Sequence, residues 1–185
     1  VRVEKPDMLV YSAITGEHTY YLKLNEYIKK ELVFEPFSLL GGPHATYFPE
    51  VIKDSRYMDA ICIGEGEEAI LELVSSLENK KDISGIKNIG TRDKINEMRC
   101  KLPELDCLPF ADRDIVYETV SWKKHLPIRT FMASRGCPFN CSYCYNPILN
   151  KKLTGPEDKI WRRHSVDYVI DEILNTRSKY IVEFI

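Results

Sequence analysis

Cys137, Cys141 and Cys144 place three thiols within eight residues, in the stretch SRGCPFNCSYCYNP that runs from Ser134 to Pro147. Thiolates are soft donors that select zinc, Cu(I) or iron–sulfur clusters, and spacings of four and three residues let three sulfurs converge on one centre. The stretch reads as a loop: Pro138 lacks an amide proton, Gly136 is flexible, and Pro147 disfavours helix in the residue before it. A structural zinc site requires a fourth ligand, for which His125, His164 and Cys107 are the candidate donors. A cubane cluster held by three cysteines instead leaves one iron without a protein ligand, and that position can bind a substrate or cofactor. Spacing alone leaves both centres open.

The elements around this loop must hold it. The apolar run 128–133 (IRTFMA) leads straight into the cysteines. Beyond them, Ser165 can cap a helix in which Val166, Val169, Ile170, Ile173 and Leu174 form one stripe, and 180–185 reads as another strand. The result is a β-loop-α-β unit with the cysteines on its long loop. The front of the chain alternates in the same way. MLVYS, FSLLGG and AICIG, within 7–12, 37–42 and 59–64, are short apolar runs that stop at Ser, Gly-Gly and Gly, as buried parallel strands do. Between them, Tyr20, Leu24, Tyr27 and Ile28 share one helical face, and Ala69, Ile70, Leu73, Val74 and Leu77 another. A short helix is expected over 48–54.

Strand, turn and helix repeated in this order predict an α/β fold with a parallel sheet covered by helices on both faces. The strand-to-helix turns Ser12-AIT-Thr15, Gly41-GPHAT-Thr46 and Gly64-EGE-Glu67 then lie along one edge, rich in glycine and small hydroxyl residues that let a ligand approach the backbone. That crevice is the expected ligand site. The organisation expected is a first α/β domain over 1–92, a linker over 93–126 with some local order, and a second unit over 127–185.

The chain has 185 residues, 44% hydrophobic and 29% charged, with a formal net charge of −2. It can bury a real core. It has neither a basic excess for nucleic acid nor an apolar run of the roughly 18 to 20 residues that span a bilayer. No nucleic-acid partner and no membrane span are expected, and a cytoplasmic location follows, where Cys62, Cys100 and Cys107 stay reduced as buried or idle thiols. A beginning at Val1 and an end within an apolar run suggest a piece of a longer protein.

Cys137-x3-Cys141-x2-Cys144, with Tyr143 just before the last cysteine, resembles the signature of the radical S-adenosylmethionine (SAM) enzymes. The resemblance implies that the three cysteines hold a [4Fe-4S] cluster, that SAM chelates the open iron, and that Tyr143 contacts the adenine region. It further implies reductive cleavage of SAM to methionine and a 5′-deoxyadenosyl radical, with an external one-electron donor such as flavodoxin or ferredoxin, on a small-molecule substrate. Gly41-GPHAT-Thr46 followed by Asp59-AICIGEGE-Glu67 resembles the cobalamin-binding domain that precedes the radical domain in the B12-dependent branch of that superfamily. By this resemblance Ser12, Thr15, Gly41, Gly42, Gly64, Glu65 and Gly66 line the cobalamin edge. Leu105-DCLPFADRD-Asp114 and Trp161-RRHSVDYVIDEI-Ile173 are similar to the branch's linker and first barrel helix. The implied fold is therefore a partial doubly wound sheet followed by the beginning of a partial (β/α) barrel.

The Asp-x-His-x-x-Gly ligand motif of many B12 proteins is absent from the chain. His44, in Gly-Gly-Pro-His, reads as a hydrogen-bonder of its turn and not as a substitute cobalt ligand. The implied activity is methyl transfer or cyclisation, and the 185-residue piece alone is expected to be inactive. Two other readings stay open: a zinc-stabilised, non-catalytic binding module, and a radical SAM enzyme whose front domain no longer binds cobalamin.

Overall fold

A computed structural model of the chain describes residues 1, 3–99, 104–153 and 160–180. The chain divides into two compact units, Val1–Cys100 and Lys101–Ile185.

In the first unit, β1 (Met8–Ser12), β2 (Phe37–Gly41) and β3 (Ala60–Cys62) pair in parallel, with Ser12 opposite Gly41 and Leu40 opposite Ile61. The crossovers are α1 (His18–Glu31), between β1 and β2, and α2 (Gly42–Tyr47) with a 3₁₀ turn over Pro49–Lys53, between β2 and β3. Next comes α3 (Glu67–Glu78), then the short β4 (Ile89–Gly90), which pairs antiparallel with β3 at the end of the order β1-β2-β3-β4. The sheet is thus parallel with one antiparallel edge. Two residues are too short a strand for the sequence pattern to signal.

Alternation along the strands builds two cores, one on each face. Leu40, Ile61 and Ile63 pack with Leu22 of α1, Ala45 of α2, Val51 and Ile52 on one side. Leu39, Ala60 and Cys62 pack with Ala69 and Leu73 of α3 and with Ile89 on the other. Leu39, Leu40, Ile61, Leu73 and Ile89 are fully buried, each contributing roughly 1.5–3 kcal/mol of transfer free energy.

Two front elements differ from their periodicity. The run Gly42 to Thr46, expected as a turn, is helical, with Pro43 in the first turn where its missing N–H costs nothing. In α1 the buried positions are Leu22 and Asn25, whereas Tyr20 and Tyr27 are exposed. The helix is rotated because Asn25 finds partners inside: its Nδ2 donates to the Tyr57 carbonyl at 2.7 Å, and its Oδ1 accepts from Ser38 Oγ at 2.8 Å and Tyr11 OH at 3.2 Å. An amide bonded through both its nitrogen and its oxygen is stable in a core that would reject an unpaired one.

The second unit opens with a 3₁₀ turn (Leu105–Cys107), then α4 (Asp114–Thr119) and α5 (Ser121–Lys124). After these come β5 (Ser134–Arg135), α6 (Asn146–Leu153), β6 (Arg162–Arg163) and α7 (Val166–Lys179). β5 and β6 form an antiparallel pair, Ser134 opposite Arg163 and Arg135 opposite Arg162. The run 128–133 joins no ladder among the described residues. There the side chains do the anchoring: Arg129 donates to the carbonyls of Lys124, Leu126 and Ile128 and lies over the rings of Tyr117 and Tyr180. The strand expected over 180–185 lies outside the described residues from 181 onward.

Ser165 caps α7 as expected, its Oγ accepting the Tyr168 amide at 3.1 Å. The face that α7 buries is only partly the apolar stripe, of which Val169 and Ile173 are half-buried. Glu172 and Thr176 are buried, while Val166, Ile170 and Leu174 are exposed. Glu172 goes inward because Arg113 pairs with it at 3.0 Å, and Thr176 returns a 2.8 Å bond to the Glu172 carbonyl. No helix among the described residues is long and apolar enough to cross a membrane.

Candidate functional site

The cysteines occupy an irregular loop between β5 and α6, and α6 begins at Asn146 with Pro147 in its first turn. Cys137 and Cys144 are half-buried and Cys141 is exposed; all three are free thiols. The Cys144 amide donates to the Cys141 carbonyl at 3.2 Å, and Asn150 Nδ2 reaches back from α6 to the Cys137 carbonyl at 2.9 Å. Tyr143 stands out from the loop, 91% exposed. The sulfurs are not drawn together in this conformation: among the described residues no group of three or more His, Cys, Asp or Glu side chains is close enough to hold a metal ion. The donor set itself fits a soft metal centre, being three unpaired thiols on a non-helical loop that is anchored at its two ends.

The anchor at the front is Gly136. Its φ is +85°, and a Cβ there would overlap the Ile160 carbonyl oxygen. Only glycine lets the chain leave β5 and enter the cysteine loop beside Ile160 and Trp161, which lead into β6. The donors considered for a fourth ligand are otherwise engaged or apart. His164 Nδ1 meets Asp106 at 2.9 Å with its ring stacked on Tyr168, Cys107 Sγ bonds the Glu104 carbonyl, and His125 is exposed. Asp106 also accepts the Ser165 amide with both oxygens, at 3.1 and 3.2 Å, so it holds the start of α7. The bonds from Ser165, then that from His164, hold its carboxyl below the usual range.

In the first unit, the strand-end turns meet along one edge. Gly42, with φ +89°, fits against the end of β1: a Cβ would lie 2.8 Å from Ala13 N and Ser12 Oγ and 2.9 Å from Ala13 O. The Ala13 amide donates to Gly41 O at 3.1 Å, and the His44 amide to Ala13 O at 3.0 Å. Thr46 Oγ1 donates to the Gly42 carbonyl at 3.0 Å and accepts the Gly64 amide at 2.9 Å, which ties the second turn to the third. Ser12, Thr15, Gly41, Gly42 and Gly64 are therefore brought together, with Glu65 and Gly66 following on the third turn.

His44 does what its turn position suggested. Its Nδ1 is 3.0 Å from Thr15 Oγ1, and its buried ring stacks on His18 at 3.6 Å. Burial, then the charge of His18, lowers its pKa from the usual 6.5. Cys62, directly before this edge, is buried and its thiol is pushed up to about 11, chiefly by burial and then by Glu67. Two contributors escaped the sequence reading: Thr46 and Asp106. For Thr46 the signal was a hydroxyl in a glycine turn, whereas Asp106 lies 59 residues before the helix start it holds and carried none.

In sequence the chain is similar to methyltransferases and cyclases, a cobalamin-dependent radical SAM methyltransferase among them, and in fold it is similar to cobalamin-dependent and radical SAM enzymes. No family model matches the sequence. Among curated proteins it is 30% identical to an uncharacterized methyltransferase of Pyrococcus horikoshii, over 79% of this chain and 31% of the relative. It is 28% identical to the anaerobic magnesium-protoporphyrin IX monomethyl ester cyclase of Rubrivivax gelatinosus, over 97% of this chain and 36% of the relative. The chain thus spans about a third of the length of the curated relatives it matches.

Two solved structures share its fold. The cobalamin-dependent SAM radical enzyme OxsB, with aqua-cobalamin and SAM bound, matches 97% of this chain and 25% of its own with a TM-score of 0.70 and 20% identity. The radical SAM methyltransferase TsrM from Kitasatospora setae, with cobalamin and a [4Fe-4S] cluster bound, matches 95% of this chain and 36% of its own with a TM-score of 0.63 and 14% identity.

Proposed function

We propose that this chain is the cofactor-holding part of a cobalamin-dependent radical SAM enzyme that carries out methyl transfer or a related radical reaction on a small molecule. The observation that carries the reading is the loop of three free thiols directly after β5, with Gly136 fixing its entry. The names of the relatives, methyltransferases and cyclases, support the reaction class. Domain bounds of 1–92 and 127–185 about a connecting 93–126 belong to the same proposal.

In this reading Cys137, Cys141 and Cys144 are the cluster ligands and Tyr143 offers its exposed ring to the adenine of SAM. Such a cluster supplies, when bound, the electron that cleaves SAM to methionine and a 5′-deoxyadenosyl radical, and a corrinoid supplies the methyl carrier. The chain's own part is to hold and orient. Three thiolates leave one iron position to a ligand that is not a side chain. Asn150 and Gly136 set where the loop starts and how it turns. At the edge of the first unit, Ser12, Thr15, Gly41, Gly42, Gly64, Glu65 and Gly66 provide backbone and hydroxyl groups to a corrinoid, and the small residues let a flat macrocycle come close. His44 is bonded to Thr15 and is not cast as a cobalt ligand. The electron comes from an external one-electron donor.

Anaerobic reconstitution with iron and sulfide tests this. Broad brown absorbance with about four irons and four sulfides per chain is expected. Alanine at Cys137, Cys141 or Cys144 should abolish it, and Cys62→Ala should leave it intact because Cys62 is buried elsewhere. Stoichiometric zinc without colour, or an equal loss at Cys62, would overturn the reading.

A further inference from the structure

Asn88 has no part in the roles above, yet it is tied into the third turn of the proposed corrinoid edge. It is 2% exposed and adopts φ +68°. Its Nδ2 donates to the Ile63 carbonyl at 2.7 Å and to the Glu65 carbonyl at 3.3 Å, and its Oδ1 accepts the Arg99 amide at 2.8 Å. Its own amide donates to Glu97 O at 2.9 Å, and its carbonyl accepts the Ile63 amide at 2.8 Å. These bonds join the turn after β3, the start of β4 and the returning residues 97–99. The Arg99 side chain carries the link on to α3, pairing with Glu72 and, at 3.5 Å, with Glu68.

A trans peptide is planar, with its C=O and N–H pointing in opposite directions. Holding the Ile63 oxygen toward Asn88 therefore turns the Gly64 N–H away from it, and that N–H indeed meets Thr46 Oγ1 at 2.9 Å. By the same geometry, holding the Glu65 oxygen turns the Gly66 N–H away from Asn88, at the residue that caps the start of α3. Donors at such a position suit acceptor oxygens of the amide or phosphate kind.

We infer that Asn88 is a positioning residue: by fixing two peptide planes it seats the Gly64 amide on Thr46 and aims the Gly66 amide, and with them the third turn, for the bound corrinoid. The inference rests on the corrinoid reading for its ligand and on the hydrogen bonds above for its geometry. The alternative is that asparagine stands at 88 only because it tolerates positive φ. Glycine tolerates that φ equally, which separates the two.

The test uses the full-length protein, hydroxocobalamin titration and amide hydrogen exchange. Asn88→Gly keeps the backbone angle and removes both Nδ2 bonds. Corrinoid affinity is expected to fall about tenfold, the size of effect that loss of one to two such bonds produces, with faster exchange at Gly64 and Gly66. Asn88→Asp, which sets carboxylate oxygens against the two carbonyls, is expected to lose more, and it replaces Asn88→Gly should that variant not fold. Unchanged affinity and exchange in the variant would overturn the inference. If the parent protein takes up no hydroxocobalamin, the corrinoid reading fails. Exchange then decides the role of Asn88 alone: faster exchange at Gly64 and Gly66 upholds it, and unchanged exchange overturns it.

Discussion

Replacing Gly42 by alanine puts a methyl group where the first and second turns touch. The added Cβ would lie 2.8 Å from Ala13 N and Ser12 Oγ and 2.9 Å from Ala13 O. Two of those atoms are backbone, already committed to bonds with Gly41 O and His44 N, so they cannot swing aside as a flexible side chain would. The φ of +89° adds strain of about 1–2 kcal/mol for an L-residue, and overpacking adds about 1–3 kcal/mol. Together these are about 2–5 kcal/mol. In a unit that runs from Val1 to Cys100, that lowers the melting temperature by at least roughly 8 °C. Far-UV circular dichroism follows the loss of α1 and α3, while Trp122 and Trp161, both in the second unit, give a fluorescence signal for that unit alone. Gly85→Ala is the control, since nothing lies within 4 Å of its added Cβ. If Gly42→Ala melts within about 2 °C of the control, a difference of only a few tenths of a kcal/mol, the close-packed turn does not exist as described.

At the other unit, Gly136→Ala should push the entry of the cysteine loop away from Ile160. Iron retained after reconstitution is expected to drop by about fivefold or more, the equivalent of 1 kcal/mol or more of backbone strain; retention equal to the parent would refute the role given to Gly136. Acid should weaken the first unit through His44. Its folded pKa lies below the unfolded value of 6.5, so the stability it contributes is fully present above pH 6.5 and is lost as pH falls through the folded pKa. The expected result is a falling urea midpoint as pH is lowered from 7.5 to 5.5. A flat midpoint in the parent, or a slope that survives in His44→Gln, would count against it.

The three parallel strands, the two-sided cover of helices and the cysteine loop were all legible because each rests on local signals: apolar runs ending in glycine, and thiol spacing. What escaped depended on partners distant in sequence. The stripe of α1 pointed to Tyr20 and Tyr27, but Asn25 turned the helix, and its partners lie 13 and more residues away. The stripe of α7 pointed to Val166 and Ile170, but the Arg113–Glu172 pair, 59 residues apart, pulled the polar side in. Periodicity weighs hydrophobicity and cannot know that a polar group will find a match. The same blindness hid Asn88, which bonds carbonyls 23 and 25 residues back, and Asp106, which reaches the start of α7 from 59 residues before it.

Asn25 also governs how much freedom evolution and engineering have in α1. A helix held by grease alone tolerates sliding or rolling by part of a turn, because one oily contact replaces another. An amide threaded between β1, β2 and the loop before β3 admits a single setting, like a pin through aligned holes. The outer surface of α1 is accordingly free to be recoloured with charge or bulk, while the spot where the helix begins, and with it the neighbourhood of Thr15 and His18, inherits its coordinates from the sheet below.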